Sequence, residues 1–285
     1  PPYNLHEKAM FAEPDLLLHW AHAAGQQPLA VYGVALALLL AVFAAGWWLV
    51  RRYHVPHGQS TLPPLVYLAV RLAGGFAAIV VAAWVFTQIA TALGAADGSM
   101  GRADQAFADT LRTHVPPVAL QAFALLTRLA DTATLTGLCI LVAVLLVLRG
   151  RRWLALGWVL AVAGNGLLNT TLKDIFARVR PWHGDGPVMA SGFSFPSGHS
   201  SGAVVAYGML AYVLARFVPA RWHLPMALAT VALAFSIGVS RIFLRVHFAS
   251  DVVAGFATGT AWLLVCITSM ELTRWYRRSG ARPQA

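Results

Sequence analysis

Residues 240–270 read SRIFLRVHFASDVVAGFATGTAWLLVCITSM. From Val252 to Met270 this stretch has no charged side chain, a run close to the roughly 20 apolar residues that cross a bilayer. Immediately before the run stand Arg241, Arg245, His247 and Asp251. A soluble amphipathic helix spreads its polar residues along one face, whereas here they are gathered at one end. The stretch predicts a membrane-spanning helix with a polar cluster at its mouth.

The same pattern recurs outward from it. Long apolar runs fall at 29–50, 64–93, 132–148, 153–172, 199–215, 222–240 and 252–270. The third is short and extends back past Asp131 towards Gln121, and Arg71 lies one turn inside the second, where it can snorkel to the interface. Of the 285 residues, 58% are hydrophobic and 11% charged, too few charges to cover a water-soluble surface. The expected fold is all-α, a polytopic transmembrane helical bundle of about seven spans.

A net charge of +10 would suggest nucleic acid in a soluble protein, but its distribution points elsewhere. Segments after the first, third, fifth and seventh spans hold eleven cations, among them Arg51, Arg149, Arg151, Arg216 and Arg274, against one acid, Glu271. The other side holds nine cations and ten acids. The positive-inside rule then sets the N-terminus outside and the C-terminus in the cytoplasm, with no nucleic-acid partner implied. The domain reading is an external segment over 1–28, an additional transmembrane helix and cytoplasmic loop over 29–63, a membrane domain over 64–272 and a basic tail over 273–285. No secretory signal is visible, and the segment starting at Pro1 reads as a cleaved or truncated product.

Three helix junctions on the outer side carry polar groups suited to a phosphate. The first runs from Lys173 to Arg180-Pro181, the second is Pro196-Ser197-Gly198-His199, and the third is Ser240-Arg241 followed by His247 and Asp251. Lys173, Arg180 and Arg241 can neutralise a phosphoryl dianion, Arg with a planar fork that matches two oxygens. Ser197 and Gly198, at a helix start, direct backbone N–H groups and a positive dipole end towards the same oxygens. His247 and Asp251 share a helical face, so the carboxylate can fix one imidazole nitrogen and leave the other as a nucleophile. His199 supplies a second imidazole as general acid.

These clusters resemble the signature of the type 2 phosphatidic acid phosphatase superfamily, K-x6-RP, PSGH and SR-x5-H-x3-D, with all three spacings intact over roughly residues 120–270. Val179 stands where proline is common, and Arg245 adds a cation, read either as a contact for a more highly charged substrate or as a headgroup contact. Members commonly have six spans, so the resemblance implies a six-helix core with the first span as an addition. It further implies a metal-independent lipid phosphatase without cofactor. His247 would attack phosphorus, Asp251 would orient it, and His199 would protonate the leaving group and then activate water. Lys173, Arg180, Arg241, Ser197 and Gly198 would hold the equatorial oxygens.

The expected substrate is a membrane lipid phosphate such as undecaprenyl diphosphate, phosphatidylglycerol phosphate, phosphatidate or lipid A, met within the bilayer, with no obligate protein partner. The expected location is a bacterial inner membrane, with the site facing the periplasm or exterior. A phosphotransferase using the same phosphohistidine and a catalytically silent lipid transporter or assembly subunit are the alternatives. A haloperoxidase-like activity shares the motifs, but the spans argue against it. Elsewhere, Gly255 and Gly259 predict close helix packing, and Asn165 and Asn169 predict interhelical hydrogen bonds. Residues 103–114 read as an external amphipathic helix walling a substrate entrance or simply connecting. Cys139 and Cys266 read as unpaired packing residues. Trp47, Trp48, Trp153, Trp158, Trp182, Trp222 and Trp275 read as an interfacial belt.

Overall fold

A computed structural model describes residues 16–53, 64–95, 98–181 and 191–279; the N-terminal residues 1–15, residues 182–190 with Trp182, and the tail from 280 lie outside the described residues. All regular structure among the described residues is helical: α1 (Leu16–Gln26), α2 (Pro28–Tyr53), α3 (Pro64–Leu93), α4 (Ser99–His114), α5 (Pro117–Thr127), α6 (Thr132–Leu148), α7 (Arg152–Phe176), α8 (Gly198–Leu214), α9 (His223–Phe243) and α10 (Ala249–Ser279). Proline marks the starts of α2, α3 and α5, where a missing N–H costs nothing and the fixed φ favours the first turn.

Among the described residues, five segments are long and apolar enough to cross a membrane alone: Pro28–Arg52, Leu72–Leu93, Arg152–Phe176, Ala220–Phe243 and Ala249–Arg277. A sixth is the pair Pro117–Ala130 and Thr132–Leu148, bent by 44°. The expected backward extension of the third span is therefore helical but broken, with a 3₁₀ turn at Arg128–Ala130 and extended backbone at Asp131. The fifth expected span is α8, at 17 residues as short as α6.

α10 is the axis of the bundle, packing most extensively on α3 and α8, while α8 also meets α7 and α9. Its contact with α8 depends on the absence of side chains. A Cβ at Gly255 would lie 2.6 Å from the Ser197 carbonyl oxygen, and one at Gly259 would lie 2.8 Å from the Ser201 Cα. The expected close packing is thus met, with α8 as the partner. Asn165 donates to Ser201 Oγ at 3.4 Å and Asn169 to the Pro196 carbonyl at 3.4 Å, which ties α7 to α8 as expected.

At the other half of the bundle, Trp158 is fully buried among α6, α7 and α8 and donates to the Cys139 carbonyl at 2.9 Å. It is a core residue and not part of an interfacial belt, because it lies more than a turn inside α7, on the face turned to the bundle. Trp48, Trp153 and Trp222 do remain exposed. Cys139 and Cys266 are both unpaired and pack around this core. The additional helix α2 docks on α9 through Tyr32, whose hydroxyl meets Ser236 Oγ at 2.7 Å and whose ring contacts Phe123, Phe235 and Phe243. α4 packs on α1 and buries Asp104, Ala108 and Leu111 along one stripe.

Candidate active site

The turn from α9 to α10 places the histidine. The Arg241 carbonyl accepts from the N–H groups of both Val246 (3.1 Å) and His247 (3.2 Å), and Arg245 takes a left-handed φ of 55°. The chain thus doubles back at once, which is why five intervening residues bring Arg241 and His247 to one cavity. α10 is then started by Asp251, whose Oδ2 accepts from the Phe248 N–H at 2.9 Å, a side chain three residues into the helix reaching back to its cap.

Asp251 is fully buried and heavily shared. Its Oδ1 receives Arg178 Nη1 at 2.6 Å; its Oδ2 accepts from the Ser194 hydroxyl and lies 3.4 Å from His247 Nδ1. Ser194 Oγ is itself 3.4 Å from that nitrogen. Arg178 extends the network to α4, donating to Asp104 Oδ2 at 2.9 Å and to Ser250 Oγ at 2.8 Å, with its guanidinium over the Phe248 ring. The Ser250 N–H and hydroxyl also donate to Asp104. α4 accordingly supports the site from behind, and none of its residues lines the cavity.

The other face of His247 looks into that cavity. Arg180 Nη1 lies 3.1 Å from His247 Nε2 and donates to the Val246 carbonyl at 2.7 Å, while its remaining N–H groups hold the carbonyls of Ser191, Gly192 and Phe193. Burial drives the His247 pKa down to about 3; Asp251 pulls it up, and Arg180 and Arg241 push it further down. The imidazole is therefore neutral near pH 7, the state in which a ring nitrogen carries a free lone pair.

Arg241 donates to Thr127 Oγ1 at 2.9 Å, but its buried Nε has no partner among the described residues. An unpaired buried guanidinium N–H is costly unless a ligand completes it, and an anion in the cavity is the natural acceptor. Lys173, from the last turn of α7, lines the same cavity. Gly198 and His199 open α8, so their N–H groups have no acceptor within the helix. A Cβ at Gly198 would lie 2.9 Å from Asn169 Oδ1, so a larger residue there would displace the Asn169 side chain.

Ser197 is placed differently from its neighbours. Its Oγ accepts from the Ser200 N–H and hydroxyl, and its own N–H donates to the Asp251 carbonyl at 2.9 Å. It caps α8 and fastens it to α10, and it does not line the cavity. His199 does line it, and its Nε2 lies 2.9 Å from Asp131 Oδ1 at the α5–α6 bend. Arg245 lies outside the lining, so nothing here favours a second cation for a more highly charged substrate.

The structure thus brings Lys173, Arg180, Gly198, His199, Arg241 and His247 around one cavity of about 970 Å³. The cations stand at one end of it, with Asp131, and the lining continues along α6, α7 and α8 past Thr136, Cys139, Ile140, Val162, Asn165 and Val205. Ser194, Arg178, Asp104 and Asp131 are the partners that motif spacing does not single out. Only the first two stand near a motif, two residues before Pro196 and Arg180 respectively.

Residues 152–275 match the PAP2 superfamily model. Phosphatidylglycerophosphatase B of Bacillus subtilis (strain 168) is 33% identical over 136 residues, 47% of this chain and 66% of that protein. Lipid A 1-phosphatase of Rhizobium johnstonii is 31% identical over 119 residues, 39% of this chain and 45% of that protein. The chain therefore spans less than two thirds of the length of these relatives. A crystal structure of a transmembrane PAP2 type phosphatidylglycerolphosphate phosphatase from Bacillus subtilis superimposes with a TM-score of 0.64 at 28% identity, covering 68% of this chain and 96% of that one. The matched segment contains all three motif clusters and both histidines, and it is this segment, residues 152–275, that belongs to the PAP2 superfamily.

Proposed function

We propose that this protein removes a phosphate or diphosphate group from a membrane lipid, without a metal, through a phosphohistidine at His247. The observation that carries this reading is the cavity of about 970 Å³, which joins three cations and both histidines to a mainly apolar lining along α6, α7 and α8. A lipid has that polarity, charged at one end and apolar at the other. The distribution of Arg between loops supports a site on the periplasmic or external face of an inner membrane spanned about seven times.

In the first step, His247 Nε2 attacks phosphorus in line, the P–N bond forms and the P–O bond to the leaving group breaks. His199 gives that oxygen a proton. In the second step, His199 takes a proton from water, the water oxygen attacks phosphorus and the P–N bond breaks, releasing phosphate. Lys173, Arg180, Arg241 and the N–H groups of Gly198 and His199 face the equatorial oxygens, where charge is spread in the transition state. Arg180, 3.1 Å from Nε2, transfers that donor to a phosphate oxygen when substrate arrives.

The test is a panel of lipid phosphates incubated with detergent-purified protein in EDTA. Wild type is expected to release inorganic phosphate and His247→Ala to release none, while His199→Gln, lacking the acid of the first step and the base of the second, releases it far more slowly. Full turnover by His247→Ala would overturn the mechanism. Label transferred to a second lipid instead of water would assign a phosphotransferase, and binding without turnover would assign a silent carrier.

A further inference from the structure

The helices that carry the phosphate cluster also build a second cavity at their far ends. α7 begins there with Arg152, α8 ends with Leu214, and α10 closes with its last turns. The cavity measures about 510 Å³ and is lined by Arg151, Arg152, Arg216, Arg274 and Arg277. A smaller space of about 320 Å³ shares Arg151, Arg216 and Arg274 with it. Glu271 answers part of this charge, pairing with Arg216 and, at 3.7 Å, with Arg274.

Two of the guanidinium groups are held against aromatic rings. Arg216 bonds the Tyr212 hydroxyl and lies over its ring, and that hydroxyl in turn donates to Glu271 at 2.8 Å. Arg277 sits 3.8 Å over the ring of Trp153. Trp153, Leu156 and Leu160 continue the cavity along the exposed stripe of α7, at i, i+3 and i+7, leading from the arginines into the apolar length of the helix. A soluble anion would use the arginines and leave this stripe unused.

We infer that this cavity binds the phosphodiester headgroup of an anionic phospholipid, with an acyl chain lying along Trp153, Leu156 and Leu160. Charge complementarity selects the headgroup, since guanidinium forks pair with phosphate oxygens. Basic pockets between transmembrane helices hold anionic headgroups through the same electrostatics. The occupant is distinct from the lipid turned over at the other end of the bundle, and the inference stands whether or not that reaction is the one proposed above.

Native mass spectrometry of the detergent-purified full chain tests it, with phosphatidylglycerol, phosphatidylcholine or inorganic phosphate added separately. Wild type is expected to retain phosphatidylglycerol at least about tenfold over phosphatidylcholine, and the variant Arg151→Gln/Arg152→Gln/Arg277→Gln is expected to lose that preference. Arg241→Gln, which alters only the phosphate cavity, is expected to keep it. Equal retention by the triple variant overturns the inference, as does loss confined to Arg241→Gln or occupancy by inorganic phosphate alone. Should the triple variant not fold, Arg152→Gln on the exposed first turn of α7 is measured instead. It is expected to weaken retention about threefold, and unchanged retention there is equally fatal.

Discussion

His247 is held neutral by its surroundings, and that has a consequence for stability. Its ordinary pKa of 6.5 falls to about 3 in the fold. Between those values the unfolded chain takes up a proton that the native protein does not, so this contribution is whole above about pH 6.5 and is lost as pH falls towards 3. The margin in melting temperature of wild type over His247→Gln is therefore expected to shrink between pH 7.5 and pH 4.5. A margin that does not change with pH would contradict the neutral burial. Arg178 bears on the same histidine from behind Asp251. It bridges Asp104 and Asp251, so Arg178→Ala leaves buried carboxylates uncompensated, and a loss of about 3–5 kcal/mol is expected in denaturation together with a fall in phosphate release. Arg178→Lys, with one nitrogen in place of two, should recover only part of both. Spacing within a motif makes His247, Asp251, His199 and the three cations legible in the amino-acid sequence itself. Asp104 is not legible there, because its partner Ser250 lies 146 residues away and no local pattern links them.

The break between α5 and α6 does more than shorten a span. It leaves Asp131 in extended backbone, facing α8, where its carboxylate meets His199 Nε2 at 2.9 Å. In the proposed mechanism a carboxylate there orients the imidazole for proton transfer to the leaving oxygen. Asp131→Asn is accordingly expected to slow an alkyl phosphate about tenfold or more while slowing an aryl phosphate, whose leaving group needs little protonation, by less. Equal slowing of both would reduce Asp131 to a structural residue. Close packing at Gly259 acts on the same alignment from the other side. Gly259→Val must push α10 away from the Ser201 backbone and carry Asp251 away from Ser197, so a drop in kcat of about 100-fold is expected with the helix content unchanged in circular dichroism. Apolar runs locate every one of the long helices. They do not show the 44° bend, since the residues on both sides are equally apolar, or the burial of Trp158, which hydropathy does not separate from exposure to lipid.

At the scale of the whole molecule, the unbalanced arginines stand at one end and the site at the other. On the proposed orientation and inner-membrane location, Asp109→Cys on α4 is expected to react with an impermeant maleimide in intact cells, and Arg149→Cys after α6 only once that membrane is permeabilised. The reverse labelling would invert the orientation. The large cavity also decides what concentration the protein senses. On the proposed function, a lipid whose phosphate sits among the cations can keep its tail along the mainly apolar lining of α6, α7 and α8 and so stay in the hydrocarbon phase. Turnover should then follow the mole fraction of lipid phosphate in the membrane or micelle, and diluting the surface with inert detergent should slow the protein even when the amount of substrate per volume is unchanged.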